Sequence, residues 1–355
     1  MAFAANHLDN FEIDASLQAA PASVASFGIE AFIREGVTLG GDRIRAYANL
    51  DGVKADELAG EVDSTVTAAA TVVFAQQPTP SIWMVIRKEV AESYTEALVA
   101  ARQADCRFYI VTLDSRDLAD IALLAQYVET QKHILIGQSG DAGWLTPSVP
   151  AAFALYGSLE RTAILYHDTD GVFAAEGWGA ARATFDPDVT SAPWDGRARA
   201  VAGLATSPNA TQKLNLDDNK ANHGLELRSA PFYVDAGVNG SGRPLHEIVS
   251  LDWFQSRLVE RVADTKLTYS DRGAKIPVTV TGQQIILSII EALLAEGVAA
   301  GHFVADQVEA VAVAITDTDR SLSRLCFQVR GQFAGSTRKF KFNLNFTRDP
   351  INTEA

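Results

Sequence analysis

The sequence predicts a mixed architecture: an α/β domain built on a doubly wound parallel sheet, followed by an α+β domain. Apolar strand-like runs alternate with helix-like runs between residues 54 and 205, which is the order of elements in parallel α/β sheets. After residue 206 the order changes to two strong helices followed by strands. Lone segments that alternate polar and apolar residues stand near both ends of the chain, and they indicate extended arms.

Composition limits the class of protein. The 355 residues carry a net charge of −14, and 47% of them are hydrophobic, which is enough to bury a full core. The acidic balance argues against binding to nucleic acid or to an anionic membrane surface. The apolar stretch at about 285–300 is interrupted by Glu291 and Glu296, and the N-terminus lacks the features of a signal peptide. We therefore expect a soluble protein made in the cytoplasm, with no nucleic-acid and no membrane partner.

The N-terminal region, residues 1–27, contains one alternating piece in which Phe11, Ile13 and Leu17 share a face. Two interpretations are open: a frayed terminus, or an arm that adds a strand to another sheet. We favour the arm.

Residues 28–53 hold two strand candidates, at 30–33 and 43–47, with a Gly-Gly turn between them. We expect a small β segment that packs with the C-terminal domain.

The α/β domain is assigned to residues 54–205. It opens with a single predicted helix from Asp56 to Gln76, which ends before Pro78. Continuous apolar runs, typical of parallel strands buried on both faces, lie at 82–86, 108–113, 133–136 and 162–166. Further helical patterns lie at 94–103, about 118–127, 172–184 and 195–204.

The α+β domain is assigned to residues 206–337. Its strand candidates are 225–228, 231–235, 308–315 and the near-alternating run from 325 to 333, and its helices cover about 246–264 and 282–296. Thr281 and the residues after it fit a capping box at the start of the second helix, and Gly297 fits its end.

The C-terminal arm, residues 338–355, is a single predicted strand. Phe340, Phe342, Leu344 and Phe346 alternate with polar residues without a fault. Such a strand needs a partner, because an exposed apolar edge is an aggregation hazard.

Enzyme motifs are weak in this sequence. It has no glycine-rich dinucleotide or phosphate loop, and its six histidines include no pair at helical ligand spacing. We therefore predict no catalytic residue, no cofactor and no metal site. Cys106 and Cys326 lie in apolar runs and are expected to be small core residues.

The best enzyme-like segment runs from His167 to Gly171, at the carboxyl end of a buried strand, where ligands of open α/β sheets bind. Asp168 and Asp170 could hold a metal or act as an acid–base pair. The plainer interpretation is a turn in which an Asp caps the next helix. Trp194 is expected to pack as an anchor at a domain or subunit junction.

Four segments together resemble the sheath proteins of contractile bacteriophage tails, the myophage type. They are Arg43 to Leu50 with the run from Phe74 to Pro80; Ala163 to Asp168 with Ala192 to Arg197; Asn219 to Gly224; and Leu251 through Arg261, Lys275-Ile-Pro and the helix that ends near Gly297. The likeness covers most of residues 28–347. The sequence departs from the family pattern at 272–274, and this departure is confined to one local loop.

This resemblance implies a structural subunit of a virion tail, assembled in the host cytoplasm, and not an enzyme. The implied function is helical polymerisation around the tail tube and contraction that drives the tube through the host envelope. The implied partners are further copies of the chain, the tail tube protein, and the baseplate and tail terminator proteins. The implied layout is an outer α/β domain, a C-terminal α+β sheath domain against the tube, and arms that exchange strands with neighbouring subunits.

Two other classes stay open. An α/β enzyme or ligand-binding protein would form a small oligomer with its ligand near His167 and Gly171. A plain scaffold or capsid-associated protein would form oligomers but no contractile tubes.

Overall fold

The computed structural model describes residues 26–198, 208–227 and 230–336. The predicted arm residues Phe11, Ile13, Leu17, Phe340, Phe342, Leu344 and Phe346 all lie outside these ranges.

The strands of the described residues are β1 (Glu30–Glu35), β2 (Ile44–Tyr47), β3 (Trp83–Lys88), β4 (Ile110–Leu113), β5 (Ile134–Ser139), β6 (Thr162–Tyr166), β7 (Gly196–Arg197), β8 (Asn222–Leu227), β9 (Ala230–Asp235), β10 (Phe303–Ala312) and β11 (Phe327–Phe333). The helices are α1 (Leu50–Leu58), α2 (Ser64–Phe74), α3 (Tyr94–Ala104), α4 (Leu118–Glu129), α5 (Ala174–Ala183), α6 (Ala210–Asp218), α7 (Leu245–Asp271), α8 (Val280–Ala299) and α9 (Asp317–Ser321).

Nine strands form one sheet in the order β2-β3-β1-β4-β5-β6-β8-β9-β7. The run from β3 to β8 is parallel, and antiparallel pairs lie at both edges. Alternate residues of β1, β3, β4, β5 and β6 enter separate buried clusters, with α3 and α4 on one face and α2 and α5 on the other. The predicted mixed α/β fold is therefore confirmed, with helices on both faces of a largely parallel sheet.

The first two strands correct the prediction for residues 28–53. β1 lies between β3 and β4 in the middle of the sheet, with Phe32 opposite Val85 on one side and Thr112 on the other. β2 pairs with β3 and not with β1, so the predicted Gly-Gly turn does not join two strands that pair with each other. This segment belongs to the large sheet because Phe32 and Ile33 point to opposite faces and both faces are covered.

The proposed boundary at residue 206 also divides this sheet. β8 and β9 form the predicted pair of strands, but they extend the nine-stranded sheet instead of belonging to a separate domain. The predicted helix at 195–204 is wrong where the chain is described, since Gly196 and Arg197 form β7.

The predicted helix from Asp56 to Gln76 is two helices. Gly60, with φ at +75°, interrupts it after α1. The carboxylate of Asp63 then accepts a hydrogen bond from the backbone N–H of Val66 and caps α2.

The C-terminal layer consists of α7, α8 and the two-stranded sheet β10–β11. α8 begins at Val280 after Thr279, which makes no side-chain cap, so the predicted capping box at Thr281 is wrong. Gly297 lies inside α8 and does not end it. A Cβ at Gly297 would lie 2.7 Å from the ring of Phe303, so the glycine permits close packing of β10 on the helix.

By length and composition α8 could cross a membrane. Ile286, Ile290, Leu293 and Leu294 of this helix are buried in the protein core, and a core helix shows the same composition.

The two cysteines are free. Cys106 is exposed and Cys326 is half-buried, so the predicted core position of Cys106 is wrong.

Candidate functional site

The two-stranded sheet β10–β11 presents open edges in the part of the chain that the structure describes. Val308, Ala310, Val329 and Phe333 pack one face of it on the helices of the C-terminal layer. The opposite face carries exposed side chains. Each strand uses one edge for its partner and leaves the backbone groups of the other edge available to a third strand. The sequence of the predicted C-terminal arm begins a few residues after β11.

A buried ion pair joins α7 to the large sheet. Asp252 is fully buried, and Arg161 donates to both of its carboxylate oxygens, at 2.6 and 2.8 Å. The hydroxyl of Tyr109 donates to the same carboxylate at 2.8 Å. Burial and the Asp252 charge raise the pKa of Tyr109 well above its usual value. Burial opposes the charge of Arg161, but the hydrogen bonds and charge of Asp252 give that group a net raised pKa. The guanidinium of Arg161 is therefore held in its charged form.

A second group of contacts joins α7 to the loop after α5 and to the start of β10. Asp188 accepts from Trp253 Nε1 at 2.6 Å and from Arg257 at 2.7 Å. The hydrogen bonds of Arg257 are the main reason that the pKa of Asp188 is lowered. His302 stacks on Trp253 at 4.4 Å and contacts the hydroxyl of Ser250 at 2.7 Å. These contacts make the large sheet and the C-terminal layer one packed body.

The segment from His167 to Gly171 forms a hydrogen-bonded turn. Nδ1 of the buried His167 accepts the backbone N–H of Thr169 at 3.2 Å, and Asp168 lies 3.8 Å away. The predicted Asp cap of α5 is wrong, because the side-chain oxygen of Gln138 accepts the N–H groups of Ala174 and Ala175 at 2.9 and 3.1 Å. The turn is built by hydrogen bonds across neighbouring strands, which the local sequence does not reveal.

Trp194 is buried in the core, and its predicted place at a domain or subunit junction stays a prediction. Its carbonyl accepts from Trp178 Nε1 at 2.8 Å, and the two indole rings lie edge to face at 5.8 Å. Gly237, with φ at +59°, passes so close to Trp194 that a Cβ there would overlap the backbone. Trp194 thus fixes the connection between α5 and β7 within the core shared with α7.

Two cavities lie near this connection. One of about 30 Å³ is lined by Phe27, Tyr109, Trp194 and His302, among others. The other is an open groove of about 490 Å³ bordered by Pro78, Pro80, Asp188 and Arg257, among others. Both lie apart from the turn at His167.

One cluster that the sequence analysis did not predict has the composition of a metal site. Asp217, His223 and Asp235 bring ligand atoms within 4.8 Å of one another. They come from α6, β8 and β9, so no short spacing motif in the sequence could have indicated them.

The sequence matches no protein-family model and no curated protein. Solved structures do match. The chain is similar to the helical sheath protein of the anti-feeding prophage in its contracted state, with 14% identity, a TM-score of 0.65 and coverage of 97% of this chain and 100% of that one.

Two further structures agree with this result. A chain of the anti-feeding prophage baseplate is 13% identical with a TM-score of 0.64, over 93% of this chain and 97% of that one. A sheath tail protein from Listeria innocua is 12% identical with a TM-score of 0.56, over 92% and 96% of the two chains. The chain therefore has the fold of contractile tail sheath proteins along almost its whole length.

Proposed function

We propose that the chain is the structural subunit of a contractile sheath. It polymerises helically around a tail tube and contracts to drive the tube through a host envelope. The observation that carries this proposal is the match to a helical sheath subunit over 97% of this chain and 100% of that one. A match to one domain alone would have left the assembly function open.

Strand exchange is the proposed link between subunits. The apolar faces formed by Phe11, Ile13 and Leu17, and by Phe340, Phe342, Leu344 and Phe346, suit insertion into a neighbouring sheet. The open edges of β10–β11 support this role as acceptors. An arm of about 20 extended residues reaches at most roughly 65 Å. Several weak exchanges per subunit hold the lattice together through avidity. Because each exchange links one subunit to the next without closing a ring, its repetition generates a helix.

In the proposed contraction, the core of each subunit moves as a rigid body. The contacts of Asp252 and Asp188 make the described core one packed body, while the Gly-, Pro- and Ala-containing stretch at 19–28 suits a hinge. In this account the cores rotate and shift, and the arms keep neighbouring subunits connected.

The proposed partners are further copies of this chain, the tail tube protein, and the baseplate and tail terminator proteins. The match to a chain of a baseplate assembly supports the baseplate contact. The proposed location is a virion tail, assembled in the host cytoplasm. The outer position of the α/β layer and the inner position of α7, α8 and β10–β11 belong to the same proposal.

A pair of substitutions in the C-terminal arm tests strand exchange. Phe342→Asp places a charge on the apolar face, whereas Asn343→Asp places the same charge on the opposite face. We expect Phe342→Asp to raise the protein concentration needed for assembly by about tenfold or more, since it buries a charge, and Asn343→Asp to change it little. Sedimentation of the polymer measures both. Equal assembly of the two variants, and of a chain lacking residues 338–355, would refute the arm.

A further inference from the structure

His223 is a buried histidine whose environment is polar on both sides of the ring. The residue is only 1% exposed. Oδ1 of Asp217 lies 3.9 Å from its Nδ1, and Oδ2 of Asp235 lies 4.0 Å from its Nε2. Neither ring nitrogen has a partner at full hydrogen-bond geometry, although the backbone of Ala221 lies close enough to interact with the ring. Buried polar atoms are normally hydrogen-bonded, so this arrangement needs an explanation.

We propose that Asp217, His223 and Asp235 bind one divalent transition-metal ion of the zinc type. One imidazole nitrogen and two carboxylates are ligands that Zn²⁺ accepts, whereas Ca²⁺ and Mg²⁺ prefer oxygen ligands alone. Only one nitrogen of His223 would bind the ion, and water would complete the coordination.

The geometry requires a small movement of the carboxylates. Ligands about 2 Å from one tetrahedral ion are roughly 3.3 Å apart, and here the ligand atoms lie within 4.8 Å of one another. The packed ring of His223 is fixed, but the Asp217 and Asp235 side chains are 42% and 38% exposed. These carboxylates can turn toward a common ion without repacking the core.

The charges around His223 are compatible with this site. The ring of His223 lies among the charged groups of Asp217, Asp235 and Lys213. The ammonium group of Lys213 lies 3.9 Å from Asp235 Oδ2 and competes with the ion for that carboxylate.

A bound ion would connect α6 to the hairpin of β8 and β9 at the edge of the large sheet. It would stabilise the folded chain by mass action, because the ligands come together only on folding. This inference does not depend on the proposed assembly, since it concerns the isolated subunit.

The test is zinc titration of the full-length protein by calorimetry, with the melting temperature measured in parallel. Asp217→Asn removes a ligand, and Asp218→Asn removes the same charge from the next, exposed residue of α6. We expect one Zn²⁺ per chain, affinity lowered by about tenfold or more in Asp217→Asn, no change in Asp218→Asn, and tighter binding in Lys213→Ala. Mg²⁺ at the same concentration should leave the melting temperature unchanged.

Three results would overturn the site. They are absence of zinc binding at millimolar concentration, zinc affinity equal in Asp217→Asn and Asp218→Asn, or an equal response to Mg²⁺. The two aspartates are half-exposed, so Asp217→Asn and Asp235→Asn decide the question even if a substitution of His223 prevents folding. Co²⁺ in place of Zn²⁺ gives a second readout, because its absorption spectrum reports the ligand set and should change in Asp217→Asn.

Discussion

Asp252 is the residue through which α7 is held on the large sheet. Its carboxylate receives Arg161 in a bidentate pair and the hydroxyl of Tyr109 in addition. A buried charge with all of its partners is tolerated, but removal of one partner leaves the other charge uncompensated. The Leu-Asp-Trp-Phe segment that includes Asp252 carries part of the resemblance to sheath proteins, and the structure gives this residue a packing role.

We predict that Asp252→Asn lowers the free energy of unfolding by about 3–5 kcal/mol, because Arg161 stays buried without its counter-charge. Urea unfolding measures the change. Glu296→Gln is the control, since it breaks the exposed pair with Arg261 and should cost less than about 1 kcal/mol. Similar losses in the two variants would show that the Asp252 pair contributes little.

Glu30 makes stability depend on pH. It is buried beside Glu176; Thr112 donates to one of its oxygens at 2.9 Å, and the other oxygen has no hydrogen-bond partner. Burial, followed by the charge of Glu176, raises its pKa well above the usual value. The folded chain therefore binds a proton more tightly than the unfolded chain, and this group's contribution to stability falls as pH rises above about 4.3, the unfolded pKa.

Glu30→Gln should therefore raise the free energy of unfolding at pH 7 by at least about 1 kcal/mol, and the gain should shrink as the pH falls to about 4. Chemical unfolding at both pH values measures it. The exposed Glu89→Gln should change stability by less than about 0.5 kcal/mol at either pH. If Glu30→Gln is less stable at pH 7, the carboxylate is charged and stabilised by its surroundings, contrary to this account.

At the scale of elements, α8 depends on a glycine that the helix pattern alone would not favour. Alanine normally stabilises a helix relative to glycine by about 0.5–1 kcal/mol. At Gly297, however, a Cβ would lie 2.7 Å from Phe303 and 3.1 Å from Trp253. We predict that Gly297→Ala lowers the melting temperature and costs about 1–3 kcal/mol.

Gly52→Ala in α1 is the matched control, because a Cβ there meets only ordinary contacts at 3.6 Å or more. It should be neutral or slightly stabilising. Thermal unfolding compares the two variants, and an equal response would mean that α8 and β10 can separate at no cost.

The same elements show what the sequence could reveal. The apolar runs of β3 and β6 and the periodicity of α3, α4 and α7 are local signals, and they predicted these elements well. The predicted position of β1 is wrong, because its partners in β3 and β4 lie about 50 and 80 positions away along the chain. Parallel pairing between such distant strands leaves no turn signature in the sequence. Gly60 separates α1 from α2. The strong apolar periodicity on both sides of this glycine predicts one continuous helix instead.

The candidate sites show the same difference between signals that are local in the sequence and contacts that only the fold creates. The alternation at Phe340 and Phe342 predicts an arm from the sequence alone, and it stays a prediction. The pair of Arg161 with Asp252 and the cluster around His223 join residues from different elements, so only the fold reveals them. The segment at His167 had a local signal for a ligand site, but its hydrogen bonds account for it as a turn.

At the scale of the whole molecule, this chain shares the fold of the anti-feeding prophage and Listeria innocua sheath chains at only 12–14% identity. The described core is one packed body, which suits a subunit that moves as a unit while connecting segments change. Removal of residues 1–20 should therefore leave a folded subunit that assembles or contracts poorly. Circular dichroism checks the fold, and sedimentation checks assembly; normal tubes and normal contraction would refute the role of the N-terminal arm.

The most direct test of the sheath proposal is negative-stain electron microscopy of the purified full-length protein over a concentration series, alone and with its tail tube. We predict hollow helical tubes above a threshold concentration, and their loss when residues 340–355 are removed. A monodisperse monomer or dimer at every concentration, with and without the tail tube, would contradict the proposal and return attention to a ligand-binding function near Asp168 and Asp170.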